Sequence, residues 1–204
     1  MKSYFFPFKY MLWICLFSFA FLSCATVPVL NVTYKPAANF YTPDHKEVYF
    51  KFIDKRSQKN IIGNGAQEVF KGYSGKINFS VSKGEKEESF VGIYDVESLF
   101  NKAFSMYLGN MGLTILSEPK KGTPELYIRL NDFTLDLSGR KWIAGIDYEA
   151  EFVKDNKTLT RRFKGQSERF RIYGLDQANQ AVSDAFTDII NQLDLKTLFT
   201  DSTG

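Results

Sequence analysis

Trp142, Ala144, Ile146, Tyr148, Ala150 and Phe152 place an apolar side chain at every second position. That period belongs to a strand with one buried face; no helix gathers those six side chains on one side. Asp147, Glu149 and Glu151 then share the opposite face. Asp155-Asn156-Lys157-Thr158 supplies turn residues, and a further strand follows from about residue 158 to 172, so the chain folds back as a long hairpin.

The hairpin governs how the most basic stretch is read. Lys154, Lys157, Arg161, Arg162, Lys164, Arg169 and Arg171 stand against only Asp155 and Glu168. A two-residue turn at Asn156-Lys157 sets Glu151 opposite Arg162 and Glu149 opposite Lys164. Cross-strand charge pairs contribute roughly 0.2–1 kcal/mol each. The first reading is therefore a compensated, solvated hairpin. The second is an anion-binding face for lipopolysaccharide or anionic lipid, with Arg169 and Arg171 its least compensated members.

Two segments carry helical spacing. From the N-cap candidate Asp95, Val96, Leu99, Phe100, Ala103, Phe104, Tyr107, Leu108 and Met111 form one stripe, which Gly109 or Gly112 ends. From about Asp176, Ala178, Ala181, Val182, Ala185, Phe186, Ile189, Ile190 and Leu193 form another. Strands are expected over residues 47–53, 76–81 and 113–116. Another carries Leu126, Ile128 and Leu130, then shifts phase to Phe133, Leu135 and Leu137, which predicts a bulge near Asn131-Asp132. The fold class expected is α+β: an antiparallel, partly mixed sheet with two amphipathic helices packed on one face, in a single domain over residues 46–198.

Ahead of that domain, Pro28, Pro36 and Pro43 recur with no helical or alternating pattern between them. A semi-extended tether over residues 24–45 is expected. The first 23 residues hold Lys2 and Lys9, a 13-residue apolar run from Tyr10 to Leu22, then Ser23-Cys24. A basic n-region, an h-region of that length and a small residue before the cut are the parts of a secretory signal. A spanning helix needs about 20 apolar residues, more than this run has. Phe21-Leu22-Ser23-Cys24 resembles a lipobox, although Phe21 stands where Leu is usual; plain secretion and a retained anchor are the alternatives. The resemblance implies a covalent diacylglycerol and an N-acyl chain on Cys24 and no other cofactor. Three chains exceed the two that stable anchoring takes. Ala25 is not the Asp of an inner-membrane retention signal, so the periplasmic side of an outer membrane is favoured, with surface exposure the alternative. Residues 199–204 read as a flexible tail.

Chemistry is scarce. Removing the signal takes Cys15, Lys2 and Lys9 and leaves 24 cations against 23 acids, which is no nucleic-acid-binding balance. One cysteine excludes a disulfide within a subunit. The single histidine, His45, enters the first strand of the domain, a poor place for a catalytic imidazole. Asp147, Glu149 and Glu151 are expected to meet Arg and Lys rather than to act as acid and base. Gly63-Asn64-Gly65 lacks the third glycine of a dinucleotide fingerprint, and Ile77 stands where a P-loop has Ser or Thr; a mobile loop is expected from Gly63 to Lys76. No enzyme activity is expected.

The order of elements carries one family resemblance. A lipidated start is followed by a strand ending Asp54-Lys55-Arg56, then Ile61-Ile62-Gly63. Next come a helix closing Leu108-Gly109-Asn110-Met111-Gly112-Leu113, the strand Leu126-Tyr127-Ile128-Arg129-Leu130, a long hairpin, and a helix holding Ala178, Ala181, Ala185 and Asp188. This resembles the YajG-like lipoproteins of bacterial envelopes over residues 46–195, and more distantly the auxiliary lipoproteins of envelope ABC transport systems. The Asp-x-Arg and Ile-Gly of that family correspond to Asp54, Arg56, Ile62 and Gly63. The resemblance implies an α+β domain with no established enzyme activity. The tether joined to a compact domain without catalytic chemistry leads to the expectation of a non-enzymatic accessory or scaffold subunit docking on an envelope complex that moves lipid or lipopolysaccharide. Asp54, Arg56, Arg169 and Arg171 are its possible contacts, and fixing a turn is the other reading of Asp54 and Arg56. The alternatives are a binder of lipid, glycan or peptidoglycan in an apolar helix–sheet cleft near Phe79, Phe90, Phe133, Phe163 or Phe170, and a host-facing surface lipoprotein. If Cys24 carries the anchor, Cys24→Ala abolishes metabolic lipid labelling and leaves the unprocessed precursor; unchanged labelling refutes the lipobox.

Overall fold

The computed structural model of the chain describes residues 27–37, 47–82, 84, 88–195 and 197; the signal segment, Cys24, His45 and the tail over 199–204 lie outside them. The alternating run is the heart of a five-stranded sheet. Strand β2 (Glu47–Asp54), β5 (Thr114–Leu116), β6 (Glu125–Ser138), β7 (Lys141–Lys154) and β8 (Lys157–Phe170) lie in the order β5-β2-β6-β7-β8. The β6-β7-β8 meander is antiparallel, and β2 runs parallel to both its neighbours. Inward positions switch from Leu126, Ile128 and Leu130 to Phe133 and Leu135, with the register shift between Leu130 and Asp132 that the sequence phase predicts.

Helices α1 (Val96–Asn110) and α2 (Asp176–Asn191) both pack on the inner face of this sheet. Asp95 caps α1 by accepting from the Ser98 backbone N–H at 2.9 Å, and Gly112 at φ +80° closes it, a left-handed stop open to glycine. Aromatic rings fill the space between. Phe100 stacks on Phe52 at 5.4 Å and meets Phe133 and Phe186 edge-on at 5.6 and 5.0 Å, while Phe104 meets Tyr148 at 5.4 Å.

Three findings depart from expectation. First, there are two sheets rather than one. The second holds β1 (Leu30–Tyr34), β3 (Ile77–Ser82) and β4 (Glu88–Tyr94) in the order β1-β3-β4, with β1 parallel to β3. Second, β1 lies inside the segment expected to be a tether. Leu30, Val32 and Tyr34 do alternate and are fully buried, and Pro28 and Pro36 bracket the strand rather than interrupt it. Strand β4 was hidden because its outer face carries Phe90 and Ile93, which blur the alternation. The segment expected as a mobile loop from Gly63 is packed: a 3-10 turn at Asn64–Ala66 buries Ala66 and is followed by buried Phe70. A Cβ on Gly63 would sit 2.5 Å from the Asp136 carboxyl carbon, and one on Gly65 2.1 Å from the Leu137 carbonyl oxygen. Close approach to β6, not nucleotide binding, requires these glycines.

Strand β1 is an edge, and its outer backbone groups are satisfied by a helix. The N–H groups of Asn31, Thr33 and Lys35 donate to Asn179 Oδ1 (3.0 Å), Ser183 Oγ (2.9 Å) and Thr187 Oγ1 (3.2 Å). Asn191 finishes the row, donating to the Lys35 carbonyl at 2.9 Å and accepting from the Tyr34 hydroxyl at 3.0 Å and the Ala37 N–H at 3.3 Å. One helical step of four residues rises about 6.0 Å and two strand residues about 6.6 Å, so the two rows stay in step over the length of β1.

Asn191→Ala removes the partner of a buried tyrosine hydroxyl and is expected to cost about 1–3 kcal/mol. Gln180→Ala, one residue off the row, should stay within about 0.5 kcal/mol. Urea unfolding of the two variants checks the contrast.

Candidate functional site

Strand β2 leaves β6 at the bulge. The Lys55 N–H still donates to the Leu130 carbonyl at 2.8 Å, the chain then loops out, and it rejoins β6 where Ile62 bridges Leu135. Asp54 and Arg56 tie this loop. Arg56 donates through Nε to Asp54 Oδ1 and through Nη2 to Oδ2, both at 3.0 Å, and through its backbone N–H to Oδ1 at 3.1 Å. Nη1 reaches the Lys59 carbonyl at 3.2 Å, and Lys59 Nζ lies 3.0 Å from Asp54 Oδ2. Arg56 is only 5% exposed, so the guanidinium is engaged within its own loop. Burial pushes the Asp54 carboxyl up, but the hydrogen bonds from Arg56 and Lys59 outweigh it and hold the group below the usual carboxylate range.

The β7–β8 hairpin is compensated, in a register two residues away from the one expected. Asp155 and Asn156, at φ +49° and +63°, are the two turn residues, and Lys154 pairs with Lys157. Both central residues of a tight hairpin turn need positive φ, which Asp and Asn tolerate and Lys does not favour. Glu149 therefore faces Arg162, and Glu151 faces Thr160. Asp147 receives Arg162 at 2.7 Å and Lys164 at 3.4 Å, while Glu151 is clamped from β6 by Arg129 at 2.9 and 3.1 Å. Hydrogen bonding from Arg162 depresses the Asp147 carboxyl. Asp147 and Glu151 are paired, with other partners than the sequence suggested, while Glu149 faces an Arg162 that is engaged by Asp147.

Arg169 and Arg171 lie at the far end of β8, apart from the Asp54–Arg56 loop. Arg169 is paired with Asp184 of α2. The Arg171 guanidinium sits 6.0 Å over the Trp142 ring, and its backbone N–H donates to the Arg140 carbonyl at 2.9 Å. Between the loop and this end runs a packed series of rings, Tyr73, Phe70 and Trp142, with centroids 6.0 and 5.9 Å apart.

The expected apolar cleft between helices and sheet is filled. Phe79 and Phe133 are core residues, and Phe163 stacks on Tyr148 at 5.0 Å. Phe90 and Phe170 point away from the core. A surface groove of about 650 Å³ runs along β1 and α2, lined by Asn31, Thr33, Glu88, Asn179, Ser183 and Asp184 among others. Its Asn179 and Ser183 are spent on the β1 edge. Among the described residues no group of three or more His, Cys, Asp or Glu is placed to hold a metal, and no helix is long and apolar enough to cross a membrane.

Sequence reasoning missed the surface feature that stands out most. Strand β4 pairs only with β3 among the described strands, so its outer edge is open. Every residue of β4 is at least partly exposed, with Phe90 at 65% and Ile93 at 62%. The signal was available in Phe90-Val91-Gly92-Ile93-Tyr94, an apolar run long enough for a strand.

No protein-family model matches the chain, and no curated protein matches it. Among solved structures it is similar to protein XCC0632 from Xanthomonas campestris, described under DUF330, with TM-score 0.45, 15% identity, and 85% of this chain and 99% of that one covered. An uncharacterised protein aligns with TM-score 0.43 and 9% identity over 85% of this chain and 99% of its own. Lipoprotein GNA1162 from Neisseria meningitidis aligns with TM-score 0.26 and 11% identity over 72% and 99%. All three likenesses are loose, and the YajG-like resemblance is matched by no family model.

Replacing Arg56 with Met leaves a half-buried Asp54 with Lys59 alone and is expected to cost about 1.5–3 kcal/mol at pH 7. Because the folded pKa of Asp54 lies below its unfolded value, its contribution is present above about pH 3.9 and fades as pH falls through the folded value. The stability gap between the parent protein and Arg56→Met should therefore narrow below about pH 3.9, read from urea midpoints taken stepwise in pH.

Proposed function

We propose that this chain is a non-enzymatic lipoprotein of the bacterial cell envelope. It is held on the periplasmic side of an outer membrane by the acyl chains of Cys24 and serves as an accessory subunit docking on an envelope complex. The observation that carries the docking is the open edge of β4. An unpaired strand edge presents a row of backbone donors and acceptors, and folded proteins ordinarily cover, shorten or charge such edges. This protein covers β1 with α2 and leaves β4 flanked by Phe90 and Ile93. The partner suited to it is an extended segment that adds a strand to β4 and lays apolar side chains against those two residues. Asp54 and Arg56 hold the loop that fixes β2 to β6 in the five-stranded sheet, and their role is to shape that loop.

A photo-crosslinker at Ile93 in the acylated protein, in living cells, should capture a defined envelope protein. The double variant Phe90→Asp, Ile93→Lys should lose that capture while its urea midpoint changes little, each exposed substitution staying within about 0.5 kcal/mol. Capture of peptidoglycan, glycan or lipid alone would favour the ligand-binding reading. Labelling of intact cells by an impermeant reagent would favour a host-facing one.

A further inference from the structure

The remaining exposed apolar side chains are gathered at one end of the molecule. Among the described residues, seven large apolar side chains are exposed; two are Phe90 and Ile93 on β4, and the other five are Val27, Val29, Phe170, Ile172 and Tyr173. The backbone places those five together. Strand β1 runs alongside α2 in the same direction, from Asn31 on Asn179 to Lys35 on Asn191. The start of β1 is therefore beside the start of α2, and α2 begins at Asp176, immediately after Phe170–Gly174. The β6–β7 turn reaches the same end, since Lys141 pairs with Phe170 and the Arg171 N–H donates to Arg140. Three segments thus converge, with Ile172 at 79% and Tyr173 at 91% exposure.

The charges around this end carry an excess of one cation, with Arg140 and Arg171 outside the ion pairs. Arg140, Lys141, Arg169 and Arg171 stand against Glu168, Asp184 and Asp176. Glu168 pairs with Lys141 and Asp184 with Arg169. Lys120, Lys121 and Lys157 lie toward the opposite end, near the Asp155-Asn156 turn, so charge alone does not orient the molecule. The apolar residues do, because that opposite end has no large exposed apolar side chain among the described residues. Chain length points the same way. Six peptide steps separate Cys24 from Leu30, so a lipid on Cys24 holds the start of β1 within about 20 Å of the bilayer.

We infer that this end is a membrane-seating surface: Phe170, Ile172 and Tyr173 enter the headgroup region of the leaflet that carries the Cys24 acyl chains, and Arg140 and Arg171 meet phospholipid phosphates. An exposed apolar patch rimmed by cations, with an amphipathic tyrosine at its tip, fits the interface of an anionic bilayer. The inference rests on the anchored reading proposed above and adds an orientation to it. The acyl chains hold the protein near the membrane and the tip fixes which end faces the lipid; on β4, Ile93 is level with Asn31 toward that end and Phe90 lies farther along the strand.

The test is depth measurement by spin label. The full acylated chain carrying Ile172→Cys, whose Cys24 thiol is blocked by its lipid, is reconstituted in phosphatidylethanolamine–phosphatidylglycerol vesicles. The label at 172 should collide with oxygen and be shielded from a water-soluble nickel chelate, while a label at Asn156→Cys should be fully open to the chelate. Equal chelate access at 172 and 156 overturns the inference. In the same preparation the intact mass reports acylation of Cys24. If that fails, the anchor reading falls on its own. The unacylated chain from residue 25 onward, which lacks the apolar leader and both native cysteines, is then given Ile172→Cys and mixed with the same vesicles, where immersion of the label upholds the surface and water exposure overturns it. In the unacylated chain with Ile172 intact as the reference, Ile172→Asp with Tyr173→Asp should weaken vesicle binding by about tenfold or more. Arg140→Gln with Arg171→Gln should do so by about tenfold on phosphatidylglycerol. Binding unchanged by the arginine pair overturns the phosphate contacts. A photo-crosslinker at Tyr173 that captures a protein in cells, and no lipid, overturns the seating.

Discussion

The outward edge of β1 is the constraint around which the structure is arranged. Among the described strands its amides have none to pair with, and packing that edge against a helix without partners would leave several hydrogen bonds unmade. Asn179, Ser183, Thr187 and Asn191, four residues apart on α2, supply the partners instead. The other side of the helix presents Ala178, Ala181, Val182, Ala185, Phe186, Ile189 and Ile190 to the core. One helix thereby joins two sheets: it lies on β7 and β8 with its apolar stripe and receives β1 on its polar row. Phe186 marks the junction, in edge contact with Tyr34 of β1, Phe79 of β3 and Phe100 of α1 at 6.2, 6.1 and 5.0 Å.

That arrangement makes the molecule asymmetric. With β1 closed by α2, the only open side of the small sheet among the described residues is β4. Because β1 runs with α2, the chain enters the domain at the end where the β8–α2 connection and the β6–β7 turn also lie. The proposed assignment of surfaces follows: lipid at the entry end, a protein partner along β4, and a charge-paired outer face on the β7–β8 hairpin that needs neither. The Asp54–Arg56 loop belongs to the interior of this scheme, spanning the β6 bulge so that β2 and Ile62–Gly63 can both pair with β6.

Elements with long, clean periodicity were legible in the sequence. Both helices, the β6 bulge and β7 follow directly from the apolar spacing, because each buries one face continuously. Strand β1 was not legible, since five residues between prolines look like a linker until a helix row is available to receive their edge. The register of the hairpin was misread by one turn residue, which moves every cross-strand partner by two; the need for positive φ at Asp155 and Asn156 decides it. The apolar stripe of α2 was visible, but its polar row was not, because Asn and Ser on a helix read as solvated until something is docked on them. The docking surfaces share that difficulty. Phe90, Ile172 and Tyr173 look like core candidates in a sequence, and only the fold places them outside.

Amide hydrogen exchange, resolved by residue on the protein alone, tests the account most directly. If α2 closes one edge and leaves the other open, Asn31, Thr33 and Lys35 exchange slowly, in step with the central strands, while the outward half of the β4 amides exchange near the rate of an open strand edge. Fast exchange in β1, or β4 amides as protected as those of β6 and β7, would contradict it.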